Sequence, residues 1–308
     1  MRIVVTGSAG FVGRRITKHL QKQEHQIVAA YHRNDPSFDS ITTRRLDITD
    51  ADRVKKLLKD VAPDAVVHAA ALADADTCEQ HPDQAWETNV QGTKNVIQGA
   101  EEIESHVLFI SSSFVFSGSA KHYSETDILD PINVYGETKA AAEKKVERST
   151  VQSTIVRIDQ PYGKSTDWQS PSMVEWILDE LESESGAVEV FSDWSNNPIL
   201  NKDIADYVRL LIENDCQGTY HIVGPEHISR YHWAKRIAAV FGYDVNRIRS
   251  IKSINAGLPA KRPNANLSIS KIVSHTGYAP SGIYDGLQEL RENNRLYLQI
   301  GRNSKTNE

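Results

Sequence analysis

The chain has 308 residues, 39% of them hydrophobic and 25% charged, with 35 Lys and Arg against 41 Asp and Glu for a formal net charge of −6. That is enough chain for one large core or a core plus a lobe, in the proportions of an ordinary globular protein. The acidic balance and the lack of a long Lys/Arg run count against nucleic acid as a partner, and no apolar run approaches the ~20 residues of a membrane span.

The predicted elements alternate. "RIVVT" (2–6) reads as a strand, followed by a helical pattern over 11–23 through Phe11, Val12, Ile16 and Leu20. "QIVAAY" (26–31) and "RRLDI" (44–48) are the next strands, and Asp50 caps a helix through Val54, Leu57 and Leu58. "DAVVHAA" (64–70) is a fourth strand. Pro82 opens a helix to about residue 101, and "HVLFISS" (106–112) is a fifth strand. Asp130 and Pro131 open a helix to about 149, and "STIVRI" (153–158) is a sixth strand. Continuous apolar strands separated by helices predict an α/β fold, a doubly wound parallel sheet covered on both faces.

After residue 158 the pattern loosens. Ser170 and Pro171 mark a helix start, "VEVF" (188–191) is a short strand, and Asp203 to Ile212 is a helix. "GTYHIVG" (218–224) is a strand, Ser229 caps a helix to about 241, 253–270 is a loop, and 283–296 is helical. The organisation predicted is a dinucleotide-binding Rossmann domain over 1–158. A smaller C-terminal α/β substrate lobe over 159–300 is interleaved with it, and 301–308 forms a disordered tail. Cys78 and Cys216 stand far apart with no C-x-x-C spacing, so neither a metal centre nor a disulfide framework is expected. "MRIVVTG" leaves no room for the regions of a signal peptide, and a cytoplasmic protein with reduced thiols is expected.

Between the first strand and first helix stands "TGSAGFVG", with Gly7, Gly10 and Gly13. A first glycine there permits the tight turn, a second lets the backbone approach a pyrophosphate, and a third lets the helix pack on the sheet. The helix N-terminus, at Phe11, Val12 and Gly13, presents free N–H groups to the phosphates. A ligand-free Gly-rich connection is the other reading of the same stretch. Downstream, "YGETK" places Tyr135 and Lys139 at i, i+4 on one helix face, where an ammonium favours the phenolate. "ISSSFVFSG" (110–118) supplies hydroxyls at the end of the fifth strand.

"TGSAGFVG" resembles the T-G-x-x-G-x-x-G signature of the extended short-chain dehydrogenase/reductases. "NVYGETKAAAE", "FVFSG", "GTYHIVGPEHISRYHWAKRIA" and "PAKRPNANLSISK" resemble segments of its dTDP-4-dehydrorhamnose reductase subgroup, so the likeness covers residues 1 to about 290. The resemblance implies a catalytic Ser112, Tyr135 and Lys139, with Ser112 singled out because Val115 opens the family's V-F-x-G segment; Ser111 and Ser113 are close competitors. It places Asp47 and Ile48 near an adenine, Ala69, Ala70 and Ala71 along the cofactor, and Asn89 as a brace of the sheet. Ser113, Arg262 and Asn266 are the implied substrate contacts. Where NAD enzymes carry an acid at the end of the second strand, this chain has Tyr31, His32 and Arg33, so NADPH is the expected cofactor, with Arg33 or Arg14 on the 2′-phosphate.

The chain also departs from the pattern. Ser113 stands where the subgroup has an acid, Gln160 where an aromatic residue would face the sugar, and the R-P-x-N segment is one residue short. The function implied is NADPH-dependent reduction of the 4-keto group of a nucleotide-linked 6-deoxy sugar, with Lys139 lowering the Tyr135 pKa. A nucleotide-sugar epimerase or dehydratase is the alternative on the same scaffold. A non-catalytic regulatory subunit, like that of methionine adenosyltransferase, is the alternative of another class. The partner expected is the nucleotide-sugar substrate, with a homodimer as the candidate assembly; the sequence leaves the oligomeric state open.

Overall fold

The computed structural model describes residues 1–183 and 186–304. Its main sheet contains β1 (Arg2–Thr6), β2 (Gln26–Tyr31), β3 (Thr42–Arg45), β4 (Ala65–His68), β5 (His106–Ser112), β6 (Ser153–Ile158) and β11 (Gly218–Ile222). All seven are parallel, in the order β11-β6-β5-β4-β1-β2-β3. The order reverses beside β1, between β1 and β4. In such sheets the crevice outside the carboxyl ends at this reversal is where a ligand sits.

Helices cover both faces. α1 (Phe11–Gln21), α2 (Ala51–Val61), the short α3 (Ala75–Gln80), α4 (Pro82–Trp86), α5 (Gly92–Glu101) and α6 (Val134–Glu147) come from the first half. α7 (Met173–Glu182), α8 (Asn201–Glu213), α9 (Arg230–Phe241), α10 (Ser270–Thr276) and α11 (Ile283–Ser304) come from the second. The core between the sheet and α1 mixes both halves: Ile3, Val5, Ile16 and Leu20 pack with Ile204, Val208 and Ile222. A second core gathers Val174, Ile177, Trp233, Ile237 and Leu287. Around it run three short ribbons, β7 (Pro161–Tyr162) with β10 (Ile199–Leu200), β9 (Ser195–Asn196) with β12 (Ile228–Ser229), and β8 (Val188–Phe191) with β13 (Ile248–Ile251).

Several expected boundaries move, each for a local reason. The third strand ends at Arg45 instead of running over 44–48, because the Asp47 carboxylate accepts from the Thr49 N–H at 3.0 Å and hydroxyl at 2.8 Å and turns the chain. The fourth strand stops at His68, so that Ala69–Ala71 peel away. The helix expected from 130 starts at Val134, since the Asp130 carboxylate accepts from Ser117 and the Asn133 side chain caps Gly136 N–H at 2.8 Å. The helix expected from Ser170 starts at Met173 with a capping box between Ser172 and Glu175. The helix expected over 82–101 is present with a π-helical turn at Glu87–Gln91, the kind of widening that marks functional sites. α11 runs past 296; the expected tail at 301–308 overlaps its end, and 305–308 lie outside the described residues. Both cysteines are free and buried.

Candidate active site

A groove of about 710 Å³ opens at the carboxyl ends of β1, β2 and β4, within the range of small-molecule sites. Its floor is the glycine loop and the Ala69–Ala71 segment. Gly7 has φ +67°, and a Cβ there would sit 2.6 Å from Ala70 N; a Cβ on Gly13 would sit 2.3 Å from Gly7 O. The two loops and the start of α1 therefore meet backbone against backbone. α1 is capped by Gly10 with no side-chain hydrogen bond and no acid in its first turn. Its first N–H groups and its dipole are thus unclaimed by the chain's own side chains, the condition for holding a pyrophosphate. These residues fit a dinucleotide.

Gly7, Gly10, Phe11, Arg33, Asp47, Ile48, Ala69, Ala70 and Ala71 line the groove as expected, whereas Val12 and Gly13 stand behind it in α1. Hydrogen bonds from Thr49 hold the Asp47 carboxyl below the usual carboxylate range. The imidazole of His32 lies 3.5 Å from Asp47. Arg14 is drawn elsewhere: it donates to Pro36 O at 2.6 Å and stacks between the Phe38 and Trp168 rings at 4.8 and 5.1 Å. That leaves Arg33 as the candidate for a 2′-phosphate. Trp168 and Gln169, which the sequence did not single out, donate to Ala9 O at 3.2 and 2.8 Å and close the groove over the glycine loop.

Ser112, Tyr135 and Lys139 are all buried and lie outside the groove lining; Ser112 hydrogen-bonds Tyr135, and Lys139 follows Tyr135 by one turn of α6. Tyr135 packs with Cys78, Ala85 and the groove residue Leu72, and its ring meets Phe114 edge-on at 5.4 Å. Asn89, expected to brace the sheet, ties the segment after β4 to α6 instead: it accepts from Leu72 N at 2.8 Å and donates to Leu72 O and to Thr138 Oγ1, both at 3.0 Å. The expected fall in the Tyr135 pKa is absent. Burial pushes the phenol up to about 12, opposed by a hydrogen bond with Ser112. Lys139 Nζ instead donates to Ile110 O at 2.6 Å and lies 3.9 Å from the Phe109 ring centre, and burial pushes it down to about 7. A phenol held protonated is in the form that a proton donor needs.

Beside the lysine, His68 is fully buried between Thr6 at 2.7 Å and Thr93 at 3.0 Å, and burial lowers it to about 3. Its folded pKa lies below the ordinary imidazole value, so the unfolded chain binds the extra proton as pH falls from about 6.5 toward 3. Stability from this group is therefore lost on acidification across that window, about 2 kcal/mol by about pH 5. Urea midpoints at neutral pH and about pH 5 test this; the difference shrinks in His68→Leu, and an undiminished difference assigns the acid sensitivity to other groups.

On the substrate side, Ser113 and Asn266 enter one buried network. Ser113 Oγ donates to Asp159 Oδ1 at 2.8 Å; Asn197 N–H donates to Asp159 Oδ2 at 2.6 Å, and Asn197 Nδ2 to Asn266 Oδ1 at 3.4 Å. Asp159, just past the end of β6, thus sets a carboxylate against Ser113, where the subgroup carries an acid. Arg262 is separate: its charge is met by Asp76 at 2.5 Å, and its guanidinium lies 5.2 Å from the Trp194 ring centre. A second cation, Arg230, lies 3.2 Å from that ring centre and donates to Asn196 at 3.2 Å and to Gln160. Gln160 sits at φ +40°, a left-handed backbone rare outside glycine, pinned by that contact.

The model of the RmlD substrate binding domain family matches residues 1–295. The chain belongs to this family. It is 30% identical over 278 residues to methionine adenosyltransferase 2 subunit beta of Bos taurus, covering 88% of this chain and 81% of that protein. It is 28% identical to the probable low-salt glycan biosynthesis reductase Agl14 of Haloferax volcanii, over 94% and 97%. Among solved structures it superposes on a dTDP-4-dehydrorhamnose reductase of Clostridium acetobutylicum with TM-score 0.85 and 26% identity, covering 96% and 100%. It superposes on the Bacillus anthracis dTDP-4-dehydrorhamnose reductase in complex with NADP with TM-score 0.84 and 25% identity, covering 95% and 99%.

In this RmlD-family chain, Leu72 both lines the groove and packs on the cluster that holds Tyr135. Sequence reasoning missed Asp159, Trp194, Asn197 and Arg230. "RIDQPYG" carried a signal, since an acid stands one residue past the end of an apolar strand; nothing local marked Trp194 or Arg230.

Proposed function

We propose that this chain is an NADPH-dependent reductase of the 4-keto group of a nucleotide-linked 6-deoxy sugar. The observation that supports it most is the burial of Ser112, Tyr135 and Lys139 beside an uncapped glycine-loop groove. NADPH held by the Gly7–Gly13 loop, Arg33, Asp47 and Ala69–Ala71 supplies the hydride. Tyr135 gives its phenolic proton to the carbonyl oxygen as that oxygen gains charge. The Ser112 hydroxyl donates to the same oxygen, an electrostatic contribution worth most in a site closed to water. Lys139 holds the nicotinamide ribose and replaces the phenol's lost proton with positive charge nearby. Arg262, once released from Asp76, and Asn266 are the contacts proposed for the nucleotide-sugar end, in a substrate lobe proposed over 159–300 and interleaved with the dinucleotide domain.

The test is NADPH oxidation, followed by absorbance, with dTDP-linked 4-keto-6-deoxy sugars; NADPH binding without turnover of any nucleotide keto-sugar overturns the reading. Arg33→Ala raises KM for NADPH at least about tenfold and leaves KM for NADH unchanged, as expected for loss of a charge-assisted bond to the 2′-phosphate. An NADH preference untouched by the substitution assigns the specificity elsewhere. A second reading, a non-catalytic binding subunit, is favoured by the 30% identity to methionine adenosyltransferase 2 subunit beta. The same assay separates the two.

A further inference from the structure

Behind the reaction centre, one buried carboxylate faces two buried cations. Glu143 and Arg157 are 0% and 2% exposed, and the guanidinium grips the carboxylate through Nε to Oε1 at 3.0 Å and a second nitrogen to Oε2 at 2.8 Å. Ser111 Oγ donates to Glu143 Oε1. Lys139 stands one helical turn before Glu143 on α6, 2% exposed, and is anchored by Ile110 O and the Phe109 ring. Among the described residues, Lys139 also feels the Cys78 thiol from α3 and the neutral His68 from β4, and Tyr135 precedes it by one turn on α6. Arg157 in turn faces His221 from β11, at 3.3 Å, Glu125 O from the 116–133 loop, and the Asp127 carboxylate.

Three elements meet at this carboxylate. Ser111 precedes Ser112 on β5, Arg157 lies on β6 directly beside Ser111 in register, and α6 carries Tyr135 and Lys139. Burying two cations beside one anion is costly unless that anion is shared. A guanidinium does not give up its proton in a protein, so any weakening of the anion falls on the lysine.

We propose that Glu143 is a positioning residue of the active site, the shared counter-charge that opposes loss of the Lys139 proton and ties α6 to the ends of β5 and β6. Its kinetic consequence rests on the reductase reading; its effect on the lysine does not. A carboxylate one turn away favours the ammonium, and the charge of Glu143 already works against the burial that lowers Lys139. Removing that charge without changing shape therefore makes the lysine lose its proton at lower pH.

The experiment titrates protein carrying ¹³C-labelled lysine side chains by NMR, with the Lys139 resonance identified by its loss in Lys139→Arg. In Glu143→Gln the Lys139 midpoint falls by about one pH unit or more, and Glu143→Asp restores it. Because Glu143→Gln leaves Arg157 buried without its partner, the double variant Glu143→Gln/Arg157→Met is measured beside it and shows the same fall. A Lys139 midpoint at the wild-type pH in either folded variant overturns the proposal. In the keto-sugar assay the alkaline limb of kcat moves to lower pH by the same amount as the NMR midpoint. If the wild-type protein turns over no keto-sugar, the reductase reading fails while the NMR arm still decides the role of Glu143.

Discussion

Tyr135→Phe lowers kcat for reduction of a nucleotide 4-keto sugar by about 10²–10⁴-fold and leaves NADPH affinity unchanged. The substitution removes one oxygen from a side chain that is 9% exposed and keeps its edge-on contact with Phe114. Lys139 keeps its bond to Ile110 O, and Asn89 still braces Leu72 and Thr138. What is lost is the proton that quenches charge on the carbonyl oxygen. Ser112→Ala costs less at the same centre, about 10²-fold, because it removes one donor and leaves the proton source. Stopped-flow NADPH oxidation with a 4-keto sugar measures both; a wild-type kcat in Tyr135→Phe removes the phenol from the mechanism.

The second large effect is at the glycine loop. Gly13→Ala weakens NADPH binding by about a hundredfold and destabilises the fold by about 1–3 kcal/mol. A methyl group at this position meets the Gly7 carbonyl oxygen at 2.3 Å and its carbon at 2.9 Å, and both are backbone atoms that no rotamer change moves aside. Either α1 retreats from the sheet or the Gly7–Gly10 turn opens, and each change displaces the N–H groups offered to the phosphates. Isothermal titration with NADPH and a thermal melt read the two consequences. Retention of wild-type affinity in Gly13→Ala excludes the loop as the phosphate cradle.

Much of this architecture was legible because the signals were local. β1, β5 and β6 fall where their apolar runs stand, since a strand buried on both faces has no polar alternation to blur it, and β2 and β8 fall where expected on their partly buried runs. The Ser229 cap and the end of α9 at Phe241 also fall as expected, because Gly242 past the last turn takes the left-handed backbone that stops a helix. Boundaries failed where a side chain answered a distant backbone group: Asp130 bonds back to Ser117, and Asp47 turns the third strand off the sheet toward α2. The two-residue ribbons around the second core had no signature, because two residues carry no periodicity.

By itself the sequence determined the parallel sheet, the glycine loop after its first strand and the Tyr-x-x-x-Lys pair on one helix face, since each follows from spacing within a single element. Only the tertiary structure decided where charges meet. It set Asp159 against Ser113, occupied Arg262 with Asp76, stacked Arg14 between two rings and left Arg33 in the groove. Burial also raised Tyr135, against the expectation from its spacing to Lys139, and lowered Lys139. The physical reason is that desolvation depends on every element packed around a group, whereas spacing along a chain records only its neighbours on one helix.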